Sequence, residues 1–124
     1  MVCNPIEGQV LMLTAAKASV PGERLPNLLE RAQAALAPEC ERYRREYERV
    51  HADDNREAFL VEWGHWETLG DDLELSEREL SALRRAHEEQ LLRIGRRTDR
   101  EAEFETALEI REPVCIATSA GDER

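Results

Sequence analysis

Residues 76–96 constrain the fold more tightly than any other part of the chain. Ser76-Glu77-Arg78-Glu79 has capping-box spacing: the serine side chain accepts from the Glu79 N–H while the Glu79 carboxylate reaches back. Leu80, Leu83, His87, Leu91 and Ile94 follow at three- and four-residue intervals, giving one apolar stripe on a helix over about 77–96. A helix of that kind cannot bury its stripe alone. The rest of the chain must cover it, or a second copy must pair along the same seam. His87, set between Leu83 and Leu91, reads as a hydrogen-bonded core or seam residue.

The covering elements are sought upstream. Residues 6–18 read as a short helix with Val10, Leu13 and Ala16/Lys17 at helical spacing, broken by Ser19–Gly22. Over 23–37, Leu25, Leu28, Leu29, Ala32, Ala35 and Leu36 form a second stripe, and Pro26 is tolerated only in a first turn. Pro38 opens a third helix, read as 38–51, with Tyr43, Tyr47 and Val50 on one side and alternating Glu and Arg elsewhere. Asp53-Asp54-Asn55 is a turn.

Residues 57–69 admit two readings. As a helix, Phe59, Trp63 and Trp66 share a face and Gly70 stops it. As a strand, AFLVEW is a short β-prone run, and Gly64 turns the chain into a helical WETLGDDL. The helical reading is preferred. Thr98-Asp99-Arg100-Glu101 is read as a second capping box, opening a helix with Ala102, Phe104, Ala107 and Leu108 inward and ending near Arg111, before Pro113. Residues 114–117 are a buried tail or a short strand, and 118–124 a frayed end. The expected fold is therefore all-α, a compact bundle of four to five short helices forming one domain over 1–124. The alternative is α+β, with a small two-stranded pairing of 58–62 and 113–117.

Charge is unevenly placed. Residues 53–79 hold ten acidic residues against Arg56 and Arg78, which is −8 of the chain's net −10. Sixteen arginines stand against the single Lys17. This acidic, lysine-poor composition resembles that of proteins from salt-loving archaea, and GC-rich coding produces the same arginine bias. Cys3, Cys40 and Cys115 are an odd, widely spaced set without CxxC, which reads as reduced thiols in a cytoplasmic protein. Val10–Leu13 is too short for a membrane span or a signal core.

Four candidate sites follow from these patterns. Glu48-x-x-His51 and Glu62-x-x-His65 have the helix-face spacing of carboxylate-bridged metal bundles, so a metal-dependent enzyme is one alternative. Residues 75–85, LSERELSALRR, resemble the opening helix of sigma-factor and response-regulator helix-turn-helix domains. That likeness implies a turn and a recognition helix, whereas here the helix continues through HEEQLLRIG. Arg84, Arg85, Arg93, Arg96, Arg97 and Arg100 are the one basic concentration, so a nucleic-acid-associated regulator is a second alternative, disfavoured by net charge. No nucleophile–base set, phosphate loop or dinucleotide motif occurs, and no cofactor is expected. The leading expectation is a non-catalytic cytoplasmic interaction or regulatory module. Trp63, Trp66, Glu62, Glu67, Asp71 and Asp72 would form its partner surface, with self-association along the 77–96 seam.

Overall fold

The longest helix forms where its stripe and cap require it, but what it packs against is a sheet. A computed structural model describes residues 5–17, 20 and 24–118. In chain order the elements are α1 (Gly8–Lys17), α2 (Arg24–Leu36), a single 3₁₀ turn (Ala37–Glu39), α3 (Cys40–Glu46), β1 (Glu48–Ala52), β2 (Arg56–Glu62), α4 (His65–Asp72), α5 (Glu77–Thr98), α6 (Glu101–Ala107) and β3 (Arg111–Ala117). The three strands form an antiparallel sheet in the order β1-β2-β3. The fold is α+β, which corrects the all-α bundle. The proposed pairing of 58–62 with 113–117 is present, since Ala58 faces Cys115 and Leu60 faces Pro113, and β1 adds a third strand.

Two of the expected helices contain strands. The 38–51 segment is helical only to Glu46, because residues 48–52 pair with β2 through a bulge between Arg49 and His51. The 57–69 segment is strand to Glu62, then turns at Gly64 (φ 97°) into α4. A left-handed φ of that size suits glycine, which has no Cβ to clash. Asp53–Asn55 is the β1–β2 hairpin loop, where the Asp53 carboxylate accepts from the Asn55 and Arg56 N–H groups at 2.7 and 3.0 Å. Six successive residues of β2, Arg56–Val61, are buried, so both faces of the central strand are covered. That explains a run without polar alternation.

The capping box at Ser76 and Glu79 is formed as the spacing requires. The second is not. Thr98 still belongs to α5 and bonds back to the Ile94 carbonyl at 2.8 Å, while Asp99 closes the helix with φ 60°. Arg100, without a side-chain cap, precedes α6, in which Phe104 is buried and Ala102 exposed. Gly95 lets α6 approach closely: a Cβ there would sit 2.9 Å from the Glu101 Cα and from Phe104 Cδ2.

One core unites Leu25, Leu29 and Leu36 of α2, Phe59 and Val61 of β2, Leu83 and Leu91 of α5, Phe104 of α6 and Val114 and Ile116 of β3. The Leu83–His87–Leu91–Ile94 stripe is consumed within this core, leaving no seam along 77–96 for a second copy. The 118–124 tail, except Thr118, and the Ser19–Gly22 break, except Val20, lie outside the described residues.

The outer edge of β3 is closed by side chains instead of another strand. His87 Nδ1 accepts the Cys115 N–H at 2.9 Å. Gln33 donates to the Cys115 carbonyl at 2.9 Å and accepts from the Ala117 N–H at 3.0 Å. Trp66 Nε1–H donates to the Pro113 carbonyl at 2.8 Å, and proline itself has no N–H to satisfy. Buried backbone groups left without partners would each cost a few kcal/mol, so an imidazole, an amide and an indole stand in for a neighbouring strand.

Candidate functional site

The two tryptophans, three residues apart, go to opposite environments. On the helical reading they share a face; in the structure a strand end and a glycine turn separate them. Trp66, in the first turn of α4, is wholly buried, donates its backbone N–H to Glu112 Oε1 at 2.9 Å, and packs on His87 with ring centroids 4.7 Å apart. Trp66 therefore leaves the expected partner surface and belongs to the core. Trp63 is 63% exposed.

Trp63 is not alone at its end of the sheet. Glu62 faces Arg111 as the last pair of β2 and β3, and the residues that flank this pair in the chain are Trp63 and Ile110, the latter 72% exposed. The first residue of β1, Glu48, faces Leu60 at the same end and is ion-paired to Arg111. Ile110 was missed in the sequence because it was placed in a helix running to Arg111; the available signal is that it falls out of phase with Phe104 and Leu108.

Behind Trp63, His65 props the turn. Its Nε2 lies 2.5 Å from the Tyr43 hydroxyl, and its ring packs edge-on against Tyr43 and Tyr47 at 5.5 and 5.4 Å. Burial pushes the Tyr43 phenol up to about 12 and holds His65 below its ordinary value, with Glu112 and Glu62 pulling the other way. The phenol is thus the donor and a neutral imidazole the acceptor. The pair fixes the direction in which the chain leaves β2.

The chain that follows Trp63 into and along α4 carries carboxylates. Glu62, Glu67, Asp71 and Asp72 are exposed, as is Glu74, and none has a cationic partner within 4 Å among the described residues. Three other acids of 53–79 differ: Asp53 is held by Arg56, Glu57 is buried between Arg44 and Arg49, and Glu79 pairs with Arg24, while Asp54 and Glu77 are exposed and have no such pair among the described residues. Folding thus gives part of the acidic stretch structural roles and leaves the carboxylates on and beside α4 bare.

The other candidate residues are distributed differently. Arg93 and Arg97 both hold Glu7, whose carboxyl is lowered to about 2, chiefly by its hydrogen bond to Arg97. Arg84 pairs with Glu112 at 3.6 Å, Arg96 with Glu101 and Arg100 with Glu103, and only Arg85 lacks such a pair among the described residues. The arginines of the basic concentration fasten α5 and α6 to their neighbours. Neither Glu-x-x-His tetrapeptide is helical: Glu48 and His51 lie in β1 across its bulge, and Glu62 and His65 flank the Gly64 turn. Among the described residues no group of three or more His, Cys, Asp or Glu side chains is placed to hold a metal ion. Cys40 and Cys115 are free thiols. No described helix is long and apolar enough to cross a membrane.

Fold and site together define a small α+β domain with side-chain-closed strand edges and an acidic, aromatic sheet end. The chain belongs to the family described as Domain of unknown function (DUF8048), whose family model matches residues 4–118. No curated protein and no solved structure matches it.

Proposed function

We propose that the protein is a non-catalytic, cytoplasmic interaction or regulatory module whose partner surface is the sheet end carrying Trp63 and Ile110, rimmed by Glu62, Glu67, Asp71 and Asp72. The observation that carries this reading is the exposure of two large apolar side chains that flank the last pair of β2 and β3, Glu62 and Arg111. In a chain with only two tryptophans, one is spent on the core and the other is held out in solvent on a buttressed turn. Exposed tryptophan is costly and is enriched where partners bind. The arginine reading has less support, because most of those side chains are already engaged by carboxylates and the rim would repel phosphates.

Trp63→Ala tests the proposal. The variant is expected to keep the wild-type thermal midpoint while losing capture of whatever partner the wild-type protein retains from its native extract. Trp66→Ala is the contrast: it removes a buried ring and its indole N–H bond to the Pro113 carbonyl, and is expected to lose about 3–5 kcal/mol of stability. Unchanged capture by Trp63→Ala, or unfolding of that variant, would refute the assignment.

A further inference from the structure

We infer that the Trp63–Ile110 surface takes a basic, extended segment of a partner protein, with an arginine lying over the Trp63 indole and an apolar side chain of the segment against Ile110. The inference rests on the sheet end being the partner surface and adds the chemistry of the occupant.

Charge complementarity is the first ground. Glu62, Glu67, Asp71, Asp72 and Glu74 are exposed without cations, and Glu109, beside Ile110, is exposed as well. Of the cations near this end, Arg111 is committed to Glu48 and Arg42 to Glu39 and Glu46, while Arg31 donates to the Leu73 carbonyl at 2.6 Å, at the far end of α4 from Trp63. The local field is therefore negative, and a neutral apolar partner would leave these carboxylates desolvated at its margin without compensation. An anionic partner, whether nucleic acid or an acidic lipid surface, would be repelled.

The aromatic face is the second ground. Within the chain, Arg42 lies over the Tyr43 ring at 5.2 Å and Arg100 over Phe104 at 4.6 Å. Among the described residues no arginine covers Trp63, the strongest cation-accepting face that is exposed. A guanidinium stacked there would sit beside Glu62, pairing its planar face with the indole and its N–H edge with the carboxylate.

Spacing supplies the third ground. Glu67 and Asp71 are one helical turn apart on α4, so their carboxylates recur at about 6 Å along the helix. Side chains on one face of an extended peptide recur at about 7 Å. A segment with a cation at every second position thus has a repeat close to that of the α4 ridge, and it leaves its intervening apolar residues on its other face. A helical partner, whose like positions recur along one face at i and i+4, would need a different sequence pattern.

The test uses the full chain and four labelled seven-residue peptides in which Arg, Lys, Ser or Glu alternates with Ile, read by fluorescence anisotropy at low and high salt. The arginine peptide is expected to bind best, the lysine peptide more weakly and the other two not at all, with affinity falling as salt rises. Trp63→Ala is expected to weaken the arginine peptide about tenfold, the value of one cation–π contact with its buried area. Glu67→Lys/Asp71→Lys is expected to weaken it at least as much, with unchanged thermal midpoints for both variants. Equal binding of the serine or glutamate peptide, indifference to the charge reversal, or no binding by the arginine peptide overturns the inference. Partner capture separates the two readings. Capture lost in Trp63→Ala but retained in Glu67→Lys/Asp71→Lys keeps the partner surface and rejects a basic occupant; capture retained in both variants rejects both.

Discussion

Acid should loosen this protein through one buried imidazole before its carboxylates titrate. His87 is wholly buried, with Nδ1 accepting the Cys115 N–H and its ring against Trp66. A protonated ring would turn a second N–H toward that donor and break the closure of the β3 edge. Burial pushes the His87 pKa down to about 3 from the ordinary 6.5. The unfolded chain therefore binds a proton that the native state refuses between those values, and stability falls as pH drops through that window. At 1.36 kcal/mol per unit, the loss is about 2 kcal/mol by pH 5, a sizeable share of a typical domain's stability. Glu7, lowered to about 2 from 4.5, works in a separate window: its stabilisation is present above the unfolded value and is lost only below about pH 4.5. His65 is also held low and contributes a slope of the same sign, common to wild type and variant. The perturbation is His87→Asn, whose Oδ1 can replace Nδ1 as acceptor but does not titrate. The substitution costs packing against Trp66, so the quantity to compare is the pH slope and not the absolute stability. Urea unfolding at pH 7, 6 and 5 should give a wild-type decline of about 2 kcal/mol beyond that of His87→Asn. Parallel pH profiles would refute the argument.

Two further substitutions probe how the sheet is held. Gly95→Ala gains roughly 1 kcal/mol of helix propensity but drives a methyl into the Glu101 backbone and the Phe104 ring, so a net loss of about 1–2 kcal/mol is expected by thermal unfolding; an equal or raised midpoint would show that α6 is not pinned there. Glu57→Gln removes the buried charge that Arg44 holds through Nε at 2.9 Å and Arg49 at 3.2 Å, and a loss of about 1–3 kcal/mol in urea unfolding is expected; no loss would mean that solvent replaces both arginines.

How much of this was legible in the sequence depends on the range over which each element is specified. The α5 cap and stripe act within one window of chain, and they were read correctly from Ser76, Glu79 and the leucines. β1 was misread because Arg44, Arg45, Arg49 and their glutamates satisfy helix spacing, while Arg44 and Arg49 in fact converge from two elements on Glu57 of β2. A glutamate buried in a strand makes sense only once those arginines are in place. β2 and β3 pair across about fifty residues of sequence, so no local period reports their register. The local signs of the strand were the β-prone run AFLVEW and Gly64, whose turn takes Trp63 and Trp66 off a common face. Ile110 could not enter a site defined by sequence proximity, since only the Glu62–Arg111 pair of β2 and β3 brings its part of the chain to that of Trp63.

The strand edges bear on how a partner can reach the protein. An exposed sheet edge is the usual place to add a partner's strand. On β3 that route is closed by Gln33, Trp66 and His87, which take the outward groups of Pro113, Cys115 and Ala117. On β1 it is obstructed by the bulge at Arg49/His51, by the exposed charges of Glu48 and Arg49, and by Arg100, which donates to the Val50 carbonyl at 2.7 Å. Main-chain pairing is thus disfavoured at both edges, and recognition must rely on side chains. The sheet end offers such a side chain, because the same turn that sends Trp66 inward to close β3 leaves Trp63 outside. Edge closure and presentation of Trp63 are two consequences of one Gly64 turn. A substitution there that forced φ negative would be expected to disturb both together, whereas Trp63→Ala disturbs only the second.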